Sequence, residues 1–122
     1  MKPDMKATLA VLILVCGASA GPTASFAGDA AAGAAAWTKE YPQADGSPAR
    51  SCVTCHGRDL TKPGQHAVTN KVIEPMAPSV NPQRLTDQAK VEKWLLRNCR
   101  WTLGRECTPA EKTDFISYIQ TQ

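Results

Sequence analysis

Cys52-Val53-Thr54-Cys55-His56 decides how this chain is read. Two thiols three positions apart, followed at once by an imidazole, form the attachment signature of c-type haem. The spacing has a chemical reason. On one turn of helix both sulfurs reach the two vinyl groups of one porphyrin as thioethers. The next residue then lies under the iron, where His56 offers a ring nitrogen as proximal ligand. Three other chemistries use paired cysteines: structural zinc, a redox dithiol and a plain disulfide. Zinc needs two further ligands at matching spacing, and a thioredoxin-like motif belongs in a βαβ pattern. Neither context surrounds residues 52–56, so one covalently attached haem c is the expected cofactor.

Upstream, the chain opens with an address. Lys2 and Lys6 precede an apolar run from Ala7 to Val15, and small residues follow at Ala18-Ser19-Ala20 and Ser25-Phe26-Ala27. This is the pattern of a secretory signal peptide, since nine apolar residues are too few to span a bilayer. Cys16 does not mark a lipoprotein anchor, because Val15 stands where that signal needs a small residue. Cleavage is expected after Ala27, with Ala20 as second choice. The chain then divides into a signal peptide, 1–27, and a monohaem cytochrome c domain, 28–122. Export together with haem attachment implies a bacterial periplasm or an equivalent oxidising compartment. After cleavage nothing is expected to span a membrane.

Loss of Lys2, Lys6 and Asp4 with the leader reduces 14 basic and 11 acidic residues to 12 and 10, a net charge near +2. There is no polybasic stripe, so nucleic acid is not an expected partner. An acidic docking surface on a redox protein is compatible with this charge. The five cysteines become four when Cys16 leaves. Haem takes Cys52 and Cys55, and in an exported chain the remaining pair, Cys99 and Cys107, reads as one disulfide. Closing so short a loop contributes roughly 2.5 kcal/mol on the chain-entropy estimate. A domain of this size has a limited core of its own, and the largely apolar haem becomes its centre.

The local signals describe one all-α domain of small helices wrapped round the haem. Gly28 to Tyr41 reads as a first helix, with Asp29 as N-cap, Pro42 as stop, and Trp37 and Tyr41 as packing handles. Pro42 to Ser51 is a loop, and a short haem helix covers about Ser51 to Leu60. From Thr61 to Leu85, Pro63, Pro75, Pro78 and Pro82 rule out a long regular element, and no strand is expected. Thr86 or Asp87 caps a helix to about Cys99, with Val91, Trp94, Leu95 and Asn98 on one face. Gly104 turns the chain. Thr108, Pro109 and Glu111 then begin the last helix as N-cap, N1 proline and capping-box glutamate, and Phe115, Ile116 and Ile119 form its apolar face.

Function depends on what faces His56 across the iron. A strong second ligand, Met or His, makes an electron carrier. Met76 lies in a proline-rich loop before the final helices and is either that ligand or a gap-filling thioether. His66 follows His56 by ten residues in the same loop and reads as a solvated loop histidine, with a bis-His site as its alternative. Asn98 closes an apolar stripe with a polar group. Taken alone, an asparagine near a helix end reads as a cap.

A longer stretch is more specific. Arg97-Asn98-Cys99-Arg100-Trp101-Thr102-Leu103-Gly104-Arg105-Glu106-Cys107-Thr108-Pro109-Ala110-Glu111-Lys112 resembles the sphaeroides haem protein family of c-type cytochromes, itself related to cytochrome c″. With the haem motif the resemblance runs from about Ser51 to the C-terminus. It implies a class I-like cytochrome c fold with His56 proximal. It also implies Asn98 as distal ligand of ferric iron and a Cys99–Cys107 bridge beside it. In cytochrome c″ a histidine takes the position of Asn98, which places this chain nearer the former group. The resemblance further implies electrons delivered by a dihaem cytochrome c, linked in turn to a membrane cytochrome b.

The chemistry agrees with that role. An amide oxygen is a hard, weak ligand that suits ferric iron better than ferrous, whereas a thioether holds ferrous iron well. Reduction is therefore expected to release Asn98 and open a position for O₂, NO or another small diatomic. Trp94 is expected to pack on the porphyrin, and Arg84 and Ser79 to bind its propionates. The main competitor is an ordinary His/Met carrier using Met76. A small-ligand reductase ranks lower, because turnover needs a placed acid or base and no second distal His or Glu is evident.

Overall fold

The computed structural model describes residues 28–122, so the signal peptide expected at 1–27 lies outside the described residues. Asp29 caps helix α1, Ala30–Thr38, accepting from the amides of Ala31 and Ala32 at 2.8 and 3.1 Å. The helix ends three residues before the expected Tyr41. Pro42 disfavours helical backbone at the residue before it. Tyr41 instead exchanges backbone hydrogen bonds with Arg50, at 2.8 and 3.0 Å, and Lys39 is already extended. α1 packs on the last helix with its backbone very close. A Cβ at Gly33 would overlap the Asp114 carbonyl, so only glycine fits at that crossing.

The haem helix is shorter than expected: α2 covers Val53–His56, about one turn, and ends where Gly57 adopts φ +72°. The expectation of no strand is corrected by a small antiparallel hairpin, β1 Gly64–Gln65 and β2 Val72–Ile73. Gly64 makes it fit, because a Cβ there would overlap the Cys55 carbonyl. The chain then runs irregularly past buried Ala77, whose amide donates to the Leu60 carbonyl at 2.9 Å. Leu85 follows at φ +62°, a costly conformation for a branched residue, with its side chain packed against the core.

Helix α3, Gln88–Leu103, has Asp87 as N-cap, accepting from the Lys90 amide at 3.0 Å. It continues four residues beyond the expected end at Cys99 and stops at Gly104, which takes the left-handed conformation, φ +74°. Helix α4, Pro109–Gln120, starts as its sequence indicates: Thr108 accepts from the Glu111 amide, and Glu111 accepts from the Thr108 amide at 2.8 Å. The core is small. Trp37, Leu60, Ala77, Phe115 and Ile119 are buried with Cys99 and Cys107. Among the described residues no helix is long and apolar enough to cross a membrane.

Candidate haem-binding site

A cavity of about 790 Å³ opens between α2 and α3, within the size range of cofactor and ligand sites. The whole stripe of α3 read from the sequence, Val91, Trp94, Leu95 and Asn98, lines one wall. Cys52, Cys55 and His56 line the same cavity, and neither cysteine is spent in a disulfide. The structure therefore brings the attachment motif and Asn98 to one cavity, although 42 positions separate His56 from Asn98 in the chain. Met76, His66, Arg84 and Trp101 reach it as well. Ser79 is exposed and is not among the residues that line the cavity.

The donor set fits a haem. Burial, reinforced by the Arg84 charge, pushes His56 down to about 4. The ring is therefore neutral at neutral pH and keeps a lone pair for a metal. Its Nδ1 is buried without a hydrogen-bond partner, a cost that calls for a role other than packing. Trp37 backs the imidazole, with ring centroids 5.4 Å apart, and donates through Nε1 to the Gly57 carbonyl at 3.3 Å. Sequence reading missed this site role, because Trp37 lies on another helix and signals only bulk. Burial pushes the Cys52 thiol up to about 12, opposite to the depressed thiol of a redox dithiol. Among the described residues no three His, Cys, Asp or Glu side chains gather as a zinc site needs.

The candidates for the opposite side differ in surroundings. His66 Nδ1 accepts from the amides of Val68 and Thr69, at 3.2 and 3.1 Å, which engages that nitrogen within its own loop. Met76 is partly buried against the core as well as facing the cavity. Asn98 is exposed on the cavity wall and lies within α3, five residues before its last one. The cap position belongs to Gly104. Cys99, next to Asn98, is buried and paired with Cys107, Cα atoms 5.6 Å apart.

Arg84 donates through Nε to the Pro75 carbonyl at 2.8 Å and through Nη2 to the Glu74 carbonyl at 2.6 Å. It ties down the loop that carries Met76, lines the cavity and keeps further N–H groups that these bonds do not use. Trp94 is half exposed and stands between Lys93 and Arg97, whose charges lie 5.9 and 5.5 Å from its ring.

Comparison with known proteins agrees with this geometry. Residues 23–119 match the family described as "Domain of unknown function (DUF1924)". The cytochrome c-type protein SHP of Cereibacter sphaeroides is 54% identical over 72 residues, which are 59% of this chain and 55% of that protein. The chain spans about half the length of the curated relatives it matches. The solved structure of oxidized SHP, described as an oxygen-binding cytochrome c, superposes with a TM-score of 0.70 at 46% identity, covering 78% of this chain and 83% of that one. A solution structure of cytochrome c″ from Methylophilus methylotrophus, described for the structural basis of haem-ligand detachment, gives 0.64 at 36% identity, covering 74% and 72%. This chain belongs to the DUF1924 family and, with SHP and the related cytochrome c″, to a group of class I-like c-type cytochromes that carry one covalently attached haem c.

Proposed function

We propose that this chain is an exported, periplasmic electron-transfer cytochrome whose Asn98 ligates the oxidised iron and leaves on reduction. The ferrous form is then open to O₂, NO or a similar small ligand. Haem supplies a one-electron iron couple and, at an open coordination position, affinity for such ligands. The protein residues do the rest. Cys52 and Cys55 fix the macrocycle, and His56, neutral and backed by Trp37, provides the proximal nitrogen. Trp94 packs on the ring, and the spare N–H groups of Arg84 meet a propionate. Asn98 offers a carboxamide oxygen, a donor weak enough to be given up, and the Cys99–Cys107 bridge limits how far it travels.

The observation that carries this reading is the place of Asn98. It is a polar residue of modest helix propensity inside a helix, on the cavity wall, where capping does not account for it. Oxygen binding described for SHP and ligand detachment described for cytochrome c″ support the same cycle. The resemblance also supports electron delivery from a dihaem cytochrome c linked to a membrane cytochrome b.

Met76 favours a second reading, a closed His/Met carrier, because it lines the same cavity. Optical and EPR spectra of the ferric and ferrous holoprotein, for wild type, Asn98→Ala and Met76→Ala, separate the two. The expected result is a changed ferric signature in Asn98→Ala, an unchanged one in Met76→Ala, and rapid stoichiometric CO uptake by reduced wild type. A Met–iron charge-transfer band lost in Met76→Ala, with CO excluded, establishes the closed carrier instead.

A further inference from the structure

We infer that Arg50 is a positioning residue for Asn98, tying the segment that enters the haem-attachment motif to the turn of α3 directly beyond Asn98. The inference rests on the assignment of Asn98 as ferric ligand. An α-helix leaves its last four carbonyls without partners inside the helix. In α3 these belong to Arg100, Trp101, Thr102 and Leu103. Side chains from far upstream take two of them. Arg50 Nη1 donates to the Trp101 carbonyl at 2.9 Å, and Gln43 Nε2 donates to the Thr102 carbonyl at 3.0 Å. These contacts stabilise the turn that carries α3 past Asn98, and that turn is what makes Asn98 a mid-helix residue.

Arg50 makes a second contact with the same residue. Its guanidinium stacks over the Trp101 ring, 4.3 Å from the centroid. Arginine suits this place because a planar fork stacks and donates at once, whereas a lysine ammonium does one or the other. The brace is anchored at its near end by the paired backbones of Tyr41 and Arg50 and by Arg50 Nη2 on Ser47 Oγ at 3.4 Å.

Its two ends matter for the site. Arg50 precedes Cys52 by two residues, with buried Ser51 between them. Trp101 follows Asn98 by three, one turn on, and lines the same cavity. The brace therefore sets the separation between the attachment segment and the distal carboxamide, by a path independent of the Cys99–Cys107 bridge. Once Asn98 has left the iron, a braced last turn keeps it within short reach for return on oxidation.

The test uses holoprotein: wild type, Arg50→Ala, Arg50→Lys and, as a comparator that removes contacts to Glu111 and to the Glu106 carbonyl but none to α3, Arg105→Ala. The readouts are the ferric EPR and optical signature, the rate at which it returns when reduced protein is reoxidised, and amide exchange over Trp101 to Gly104. Both Arg50 variants are expected to slow the return by roughly tenfold, the scale of one charged hydrogen bond, and to speed exchange in that turn. Arg105→Ala is expected to lose thermal stability while returning at the wild-type rate. If Arg50→Ala does not fold, Arg50→Lys decides alone. Wild-type return rates in the Arg50 variants overturn the inference, whatever their melting temperature. Asn98→Ala separates the two levels. A wild-type ferric signature in Asn98→Ala removes the ligand assignment and this inference with it. An altered one, beside wild-type Arg50 variants, overturns the brace alone.

Discussion

At the scale of single residues, Trp37 shows how much of the site rests on one side chain outside the motif. Its indole contacts the His56 ring, meets Phe115 edge-on with centroids 6.4 Å apart, and donates to the carbonyl of the glycine that ends α2. Replacing it by phenylalanine removes the donor and part of the buried surface. Trp37→Phe is expected to cost about 1–2 kcal/mol, seen in thermal unfolding as a drop of roughly 5–15 °C for a domain this small. An unchanged midpoint would show that the indole merely fills space. The chemistry of Cys52, Cys55 and His56 was legible in the sequence because it is written in consecutive residues. Asn98 was singled out by resemblance more than by spacing, since the same asparagine read alone suggests a cap. The roles of Trp37, Arg50 and Trp101 were not legible. Arg50 and Trp101 meet across 51 positions, and no local signal predicts that encounter.

At the scale of elements, ends that depend on neighbouring residues were read well, and ends that depend on distant ones were not. The α4 start needs Thr108, Pro109 and Glu111, all within four positions, and it forms as expected. The α3 end, at Leu103, lies four residues past its expected stop, in a turn whose carbonyls accept from distant Arg50 and Gln43. The hairpin was missed because its close approach to α2 requires Gly64 for reasons visible only in three dimensions. The α4 start also has a pH signature. Hydrogen bonds from Arg105, at 2.8 Å to each carboxylate oxygen, together with the Thr108 amide, hold Glu111 down at about 2. A carboxylate depressed in the folded state stabilises the fold above its unfolded value and loses that contribution as pH falls through its folded value. Stability is therefore expected to decline between about pH 4.5 and pH 2 from this group, by about 1 kcal/mol once screening of the half-exposed Arg105 is allowed for. Chemical denaturation of wild type and Glu111→Gln across that range measures it. The variant should start less stable and show a flatter pH dependence, and parallel curves would remove Glu111 as the cause.

At the scale of the whole molecule, the protein is organised around a group that the chain encloses. Among the described residues five apolar side chains besides the cysteines form the buried core, while the cavity beside them occupies about 790 Å³. With so thin a core, the chain is expected to depend on its cofactor for cooperative folding. The double variant Cys52→Ala/Cys55→Ala, which cannot form thioethers, is expected to lose the sharp unfolding transition and much of the α3 helical signal in circular dichroism. A transition as sharp as that of the wild type would show that the polypeptide folds without the haem.

The central claim is a coordination change at one atom, and structures of the holoprotein crystallised oxidised and then reduced test it most directly. The account predicts the Asn98 carboxamide oxygen bound to iron opposite His56 in the oxidised crystal and withdrawn from it in the reduced one. A Met76 sulfur or a His66 nitrogen at that position in both crystals would contradict it.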